Sequence, residues 1–287
     1  MDTITHTLFG FTLYGAIDKR EMTKEMKRAA LFTAIGASQI PDIDVISQLW
    51  DHEGMYQMWH RGITHSLFMM PLWAFLFMTL SMILFKVKSW RLYFLALLAV
   101  FIHITSDLFN AWGTGYFEPF SQQRITFGTI PIIDFVIWLI IFAAFSLRKR
   151  WRYPRYQLYR AAWGLIALHF IIQSAQGYVL YQAYSKQYEQ LTLSASFLPW
   201  HFHVIGKNET TVDIISDSLF GQAEKKYTLH SKEDADLNTL FEKRPAAKTL
   251  YEWAPFVVIV DDNERLGIYD PRFYRNGQSF LFEYIEK

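Results

Sequence analysis

The chain has 287 residues, with 28 Lys+Arg against 27 Asp+Glu and no cysteine. Without thiols, a disulfide scaffold, a thiolate metal site, an iron–sulfur cluster and a cysteine nucleophile are excluded, and a net charge of +1 leaves no basic footprint for nucleic acid. Only 19% of residues are charged and 52% are hydrophobic, yet mean hydropathy is +0.07, so the apolar excess must be concentrated in part of the chain.

That part is the first 185 residues, which hold 16 Lys+Arg, 11 Asp+Glu and all the long apolar runs. Residues 186–287 hold 12 and 16 and read as an ordinary soluble domain. The opening MDTITHTLFG carries an acid where a signal peptide has bases, and it shows no small-residue cleavage pattern, so it does not read as a removable leader.

In chain order, the first two expected helices are short. Thr3–Ile17 and Ala29–Ile40 are apolar or rich in small residues but fall below the ~20 residues needed to cross a bilayer comfortably. Leu67–Phe85 is 19 residues without a charge, about 28 Å as a helix and close to the hydrocarbon thickness. Leu92–Leu108 is a second such run and carries His103 and Asp107; Thr129–Leu147 is a third and holds Asp134. Leu158–Tyr184 is apolar but contains Arg160, His169, Gln173 and Gln176. Together these predict a mainly α, polytopic membrane helix bundle of about six helices over residues 1–185, or four if the first two do not cross. After a join near Tyr184–Glu189, runs such as TVDIIS and FVVIVDD alternate with the turn signals GKNE, DDNERLG and RNGQ. They predict a small β-rich C-terminal domain over 186–287.

Fourteen of the 16 basic residues in the first part fall in three turns, at 19–28, 86–91 and 148–160, against Arg61 and Arg124 on the opposite side. The positive-inside rule assigns the crowded side to the cytoplasm. A multi-pass membrane protein follows, with its N-terminus and C-terminal domain extracytoplasmic. Trp59, Trp90, Trp112 and Trp151 near the span ends read as interfacial anchors.

Ionisable residues inside membrane helices are costly and need a reason. Here they gather at the extracytoplasmic ends: Asp2 and His6, Asp42 and Asp44 in PDID, His60 and His65 in WHRGITHS, His103 and Asp107, and Asp134. His103 and Asp107 are four apart and share one helix face. Asp42 and Asp44, two apart, point to one side of an extended backbone. His60 and His65 need a break, which Gly62 can supply, with Thr64 then capping the next helix. Each piece alone has a plainer reading, as a turn, a helix start or an interhelical pair. Their conjunction at one membrane face points to a site that handles a metal ion or protons. Imidazole plus carboxylate without thiolate suits a divalent ion, zinc ahead of manganese or iron, and leaves room for an activated water. His169, Gln173 and Gln176 form a stripe better suited to helix packing, and His201 and His203 read as one face of a strand.

The ordered set DTITHTLFG, PDID, HRGITHS, HITSDLFNAWGT and PIIDF resembles a bacterial family of membrane-bound, metal-dependent hydrolases typified by a LexA-regulated inner-membrane protein. The resemblance covers about residues 1–185. It implies a multi-pass membrane protein with a metal centre and hydrolase activity, at His6, Asp42, Asp44, His60, His65, His103 and Asp107, with Asp134 as a further member. A fainter similarity links the pattern to zinc-dependent phospholipases C and single-strand nucleases. The expectation is therefore a membrane-embedded hydrolase whose metal ligands are His6, Asp44, His60, His65, His103 and Asp107. Asp42 or Asp134 orients ligands or acts as general base, and Arg61 holds an anionic group. A phosphoester or another small or lipid-borne substrate at the outer leaflet is expected, and no nucleic-acid partner. An ion or proton carrier, and a non-enzymatic membrane scaffold, are the alternatives.

Overall fold

The computed structural model describes residues 1–148, 150 and 154–287; the anchor expected at Trp151 lies outside the described residues. Three helical hairpins carry the first part. The first joins α1 (Thr3–Gly15) to α2 (Lys24–Ala37), the second α4 (Met70–Phe85) to α5 (Trp90–Leu108), and the third α6 (Phe135–Leu147) to α7 (Arg155–Tyr184). The one-turn helix α3 (Tyr56–Trp59) and two 3-10 segments, Ile40–Leu49 and Ile63–His65, lie between the first two hairpins.

The caps explain where these helices start. Asp2 accepts from the backbone N–H groups of Ile4 and Thr5 at 2.9 and 3.1 Å, placing a carboxylate at the positive end of α1. Thr23 caps α2 and Ser89 caps α5 in the same way. Small residues then let the helices approach closely. A Cβ on Gly10 would stand 2.8 Å from the backbone of Ala34 and Ile35, so α1 crosses α2 at this glycine. Ala37, Ala74, Ala96, Ala99 and Val100 fill the shared core of α2, α4 and α5 with Phe77 and Ile104.

Three expectations are corrected. The run expected to be helical from Leu67 begins its helix at Met70, and the run from Thr129 begins at Phe135. Asp134 is thus not inside a helix: it caps α6, accepting from Val136 and Ile137 N–H at 2.9 and 3.1 Å. PDID is not extended but lies in a 3-10 segment. Thr64 does not cap α4, whose N-cap is Met69. For PDID, Thr64 and the start of α4 the cause is shared: the chain bends by 51° between α2 and Ile40–Leu49 and by 69° between Tyr56–His65 and α4. These bends turn polar side chains inward rather than prolonging helices. Among the described residues, Trp90–Leu108 alone is long and apolar enough to cross a membrane, or up to three spans if each bent pair counts as one.

The C-terminal part contains an antiparallel meander of β1 (Gln190–Ala195), β2 (Phe202–Asn208), β3 (Thr211–Asp217) and β4 (Glu224–His230). A second sheet orders β5 (Val258–Asp261), β6 (Arg265–Tyr269) and β9 (Phe282–Glu286), while β7 (Tyr274–Arg275) and β8 (Gln278–Ser279) pair separately. The RNGQ turn joins those last two with Asn276 and Gly277 both at positive φ, the backbone a two-residue hairpin needs. Two helices that the alternation does not announce, α8 (Asn238–Lys243) and α9 (Pro245–Trp253), also lie here. Ala247, Leu250 and Trp253 of α9 pack with Leu240 onto Ile259, Leu266 and Ile268. Val204 and Ile215 pack instead with Leu193 and with Tyr184 at the end of α7, which ties the sheet to the helical part. His201 precedes the strand that holds His203, so the two do not share a strand face.

Candidate metal centre

Four side chains from three stretches of chain meet in the helical part. Asp42, His65, His103 and Asp107 each offer an atom within 4.8 Å of the others and could hold a metal ion. His65 Nε2 lies 3.3 Å from Asp42 Oδ1 and 3.4 Å from Asp107 Oδ2. His103 Nε2 lies 3.5 and 3.6 Å from the same two atoms, and the two imidazole Nε2 atoms are 3.1 Å apart. A tetrahedral ion with bonds of ~2.0–2.2 Å sets its ligands roughly 3.3–3.6 Å apart. The edges fit.

Hydrogen bonding supports the same conclusion. His103 Nδ1 is 2.7 Å from the carbonyl oxygen of Ser38, so it must carry the proton and donate. His65 Nδ1 lies 3.2 Å from Asp44 Oδ2. With His65 Nδ1 also donating, toward the Thr64 hydroxyl at 3.0 Å and the Asp44 carboxylate, both Nε2 atoms present lone pairs, the tautomer that binds metal. Asp42 Oδ1 and Asp107 Oδ2 are buried without a hydrogen-bond donor. Two lone pairs facing one another beside two carboxylate oxygens that lack a hydrogen-bond donor make an arrangement suited to a cation.

Asp44 is saturated. It accepts from the Arg61 N–H at 2.9 Å, from the Thr64 hydroxyl at 2.6 Å and from His60 Nδ1 at 2.8 Å. Expected as a ligand, it stands behind His60 and His65, whereas Asp42, expected to orient or act as base, falls in the four-residue set. Asp42 also forms a second group with Asp44 and His60. His6 is buried and stacks on His103, with ring centroids 3.6 Å apart; its Nε2 is 3.4 Å from Asp107 Oδ1, and neither ring nitrogen has a hydrogen-bond partner among the described residues. It belongs to the cluster but not to either close set.

Arg61 is held in a left-handed conformation, φ +58°, which turns its side chain back under the cluster. Its guanidinium donates to Asn110 Oδ1 at 2.9 Å and the Met1 carbonyl at 3.0 Å, with Nε 3.4 Å from Asp107 Oδ2. Both terminal nitrogens are committed to the protein, so the expected grip on an anion is replaced by support of Asp107. Asp134 is not in either group. Its other oxygen meets His169 Nε2 at 2.8 Å, so His169 is a hydrogen-bond partner of Asp134 as well as part of the helix packing.

Two residues went unnoticed in the sequence. Asn110 positions Arg61. Arg124 donates to the carbonyls of His60 and Arg61 at 3.0 and 2.8 Å and also to Met58, fixing the histidine loop. Only the spacing of Asn110 from Asp107, three residues on, could have suggested the first; nothing local marks the second. Glu118, 3.9 Å from Arg124, has its carboxyl pushed above the ordinary range by burial. The C-terminal part braces the same loop: Trp112 packs edge-on to both His60 and Trp253, and Arg272 donates to the Ala111 carbonyl.

A buried His/Asp cluster at the ends of membrane-directed helices defines the class, a membrane protein with a candidate metal centre. The chain belongs to the YdjM inner membrane protein family, whose model matches residues 1–182. It is also similar to the uncharacterized protein YfhP of Bacillus subtilis (strain 168), at 30% identity over 151 residues, 51% of this chain and 46% of that protein. The chain thus aligns with about half the length of that curated relative. No solved structure matches it.

Proposed function

We propose that the chain is a metal-dependent hydrolase of the cytoplasmic membrane, with one divalent ion held by Asp42, His65, His103 and Asp107. The observation that carries this reading is the pair of facing Nε2 atoms flanked by two carboxylate oxygens without donors. A divalent ion there, zinc ahead of manganese or iron, would supply Lewis acidity and a water of lowered pKa.

The chain's own residues complete the chemistry. Asp42 and His60 are the solvent-facing members, with side chains 13% and 14% exposed, while His65, His103 and Asp107 are sealed. Substrate and water therefore arrive on the Asp42–His60 side. Asp44 holds His60 Nδ1, leaving Nε2 to take or give a proton, the arrangement of a histidine base oriented by a carboxylate. That assigns the base to His60 rather than to Asp42 or Asp134. The surrounding surface is apolar: Ile43, Val45, Ile46 and Leu49 of the 3-10 segment, and Trp50 just after it, are all exposed. Such a rim suits a lipid-borne or amphiphilic phosphoester.

In this reading the three hairpins and the bent segments give six membrane elements. The basic turns face the cytoplasm, and the centre and C-terminal domain face outward. No ionisable residue lies within α4 or α6, which favours a hydrolase over an ion or proton carrier.

The test is elemental analysis of the purified protein beside His103→Ala and Asp107→Ala, followed by phosphodiesterase and phosphomonoesterase assays in mixed micelles. Near-stoichiometric metal in the parent, lost in both variants together with activity, is expected. Unchanged metal content in both variants overturns the assignment.

A further inference from the structure

A second site lies at the far end of α1 from the metal cluster, about 20 Å away along a helix of this length. There the C-terminal ends of α1 and α6 and the start of α7 enclose a cavity of about 920 Å³. Its wall is apolar, formed by Leu8, Phe11, Ile141, Phe142 and Phe145. Its mouth carries Lys19, Arg20, Arg148 and Arg155, against a single carboxylate, Asp18.

Some of these cations are already engaged. Arg20 pairs with Asp18, with Nη2 to Oδ2 at 2.6 Å, and Lys19 Nζ donates to the Tyr14 and Ile17 carbonyls at 2.6 and 2.9 Å. That accounts for the free carbonyls at the end of α1. Arg148 and Arg155 are different: among the described residues neither has a carboxylate within ion-pair distance. Arg148 lies 3.7 Å over the Phe145 ring, at the boundary between the apolar wall and the charged mouth. Two uncompensated guanidiniums over a greasy cleft between membrane-directed helices ask for a ligand with an anionic head and a hydrocarbon body.

We infer that this cavity binds an anionic phospholipid, its phosphate held by Arg148 and Arg155 and an acyl chain lying along Phe11, Phe142 and Phe145. A free phosphate would leave the apolar wall unused, and a zwitterionic lipid would leave the cation excess unmet. The inference rests on membrane residence, which the family supplies, and is independent of the metal and of hydrolysis.

The experiment uses the full chain in neutral detergent micelles doped with phosphatidylglycerol, phosphatidylcholine or glycerol phosphate. Retained lipid is counted by native mass spectrometry and the thermal midpoint is recorded in parallel. Phosphatidylglycerol is expected to be retained and to raise the midpoint, while the other two are not. Arg148→Gln and Arg155→Gln should each weaken retention roughly fivefold, equivalent to about 1 kcal/mol per cation near an anionic lipid surface. Lys86→Gln/Lys88→Gln, which removes two cations from the α4–α5 turn outside the cavity, should leave it unchanged. Equal retention of phosphatidylcholine, stabilisation by glycerol phosphate, or equal loss in the α4–α5 variant overturns the site. A parent-like thermal midpoint in lipid-free micelles identifies the arginine variants as folded, and a variant that fails that check is replaced by Phe142→Glu, expected to exclude the chain from the cleft.

Discussion

His65 and His103 point Nε2 at Nε2 across 3.1 Å, each ring locked from behind through Nδ1. Rings so fixed cannot turn without breaking the Nδ1 contacts to Ser38 on one side or to Thr64 and Asp44 on the other. A cation held between them would meet ligands already fixed in place, so on the proposed reading its binding and the stability of the fold are coupled.

The first prediction concerns chelation. Stripping divalent ions should lower the thermal midpoint of the purified protein by several degrees, because a ligand present at 100 times its Kd contributes about 2.7 kcal/mol. Adding zinc back should restore it. His65→Ala/His103→Ala should show no response to either treatment. A parent whose midpoint ignores chelator would sink the metal site.

The second prediction separates Asp42 from Asp44. Asp42 offers an oxygen without a donor, and Asp44 spends both of its oxygens on His60, Arg61, Thr64 and His65. Asp42→Ala should abolish binding of the ion. Asp44→Asn keeps the ligands but loosens the rings, and should weaken affinity by roughly 10–100-fold, as removal of an outer-shell partner does elsewhere. Titration with a competing zinc dye measures both. Equal losses would mean that the two aspartates play one role.

How much of this could be read from the chain is seen in the same residues. His103 and Asp107 were legible because a helix repeats every 3.6 residues, and the i,i+4 rule needs no tertiary knowledge. The β-strands of the last hundred residues were legible for the equivalent reason, with α9 concealed among them by its short length. Which of Asp42 and Asp44 would join His65, His103 and Asp107 in the four-residue group was not legible. It depends on a 3-10 segment and a 51° bend, and no local pattern encodes which carboxylate a distant histidine will meet. The partners of Arg61 were hidden for a similar reason. A buried arginine reads as a substrate clamp until its partners, Asn110 and the Met1 carbonyl, are located 49 and 60 residues away.

The third prediction follows from the relocation of Asp134. As the N-cap of α6 and the partner of His169, it stabilises the third hairpin and does not touch the metal cluster. Asp134→Ala should cost about 0.5–2 kcal/mol from the lost cap, and more from leaving His169 unpaired, while metal content stays at the parent level. Loss of metal without loss of stability would return Asp134 to the centre.

The last prediction is a pH dependence confined to the C-terminal sheet. Asp213 on β3 accepts from Lys225 at 2.8 Å, Thr228 at 2.7 Å and the Tyr188 hydroxyl at 2.9 Å. Burial would raise its pKa, but these donors prevail and hold it below the ordinary carboxylate range. A depressed carboxylate stabilises the fold above its unfolded pKa, and that contribution disappears as pH falls through the folded value. Tyr188 is shifted the other way, to about 12, by burial and by its bond to Asp213. Its contribution is complete below the unfolded pKa of about 10 and is lost as pH rises toward the folded value. The sheet should therefore hold a stability plateau from roughly pH 5 to 9 and weaken on both sides. Denaturant unfolding followed by tyrosine fluorescence across pH should trace both limbs. Tyr188→Phe should reduce the alkaline limb and largely keep the acid one, and Asp213→Asn should remove the acid limb and lessen the alkaline one, because Asp213 supplies part of the Tyr188 shift. Profiles that superimpose on the parent in both variants would show that this triad does not couple protonation to folding.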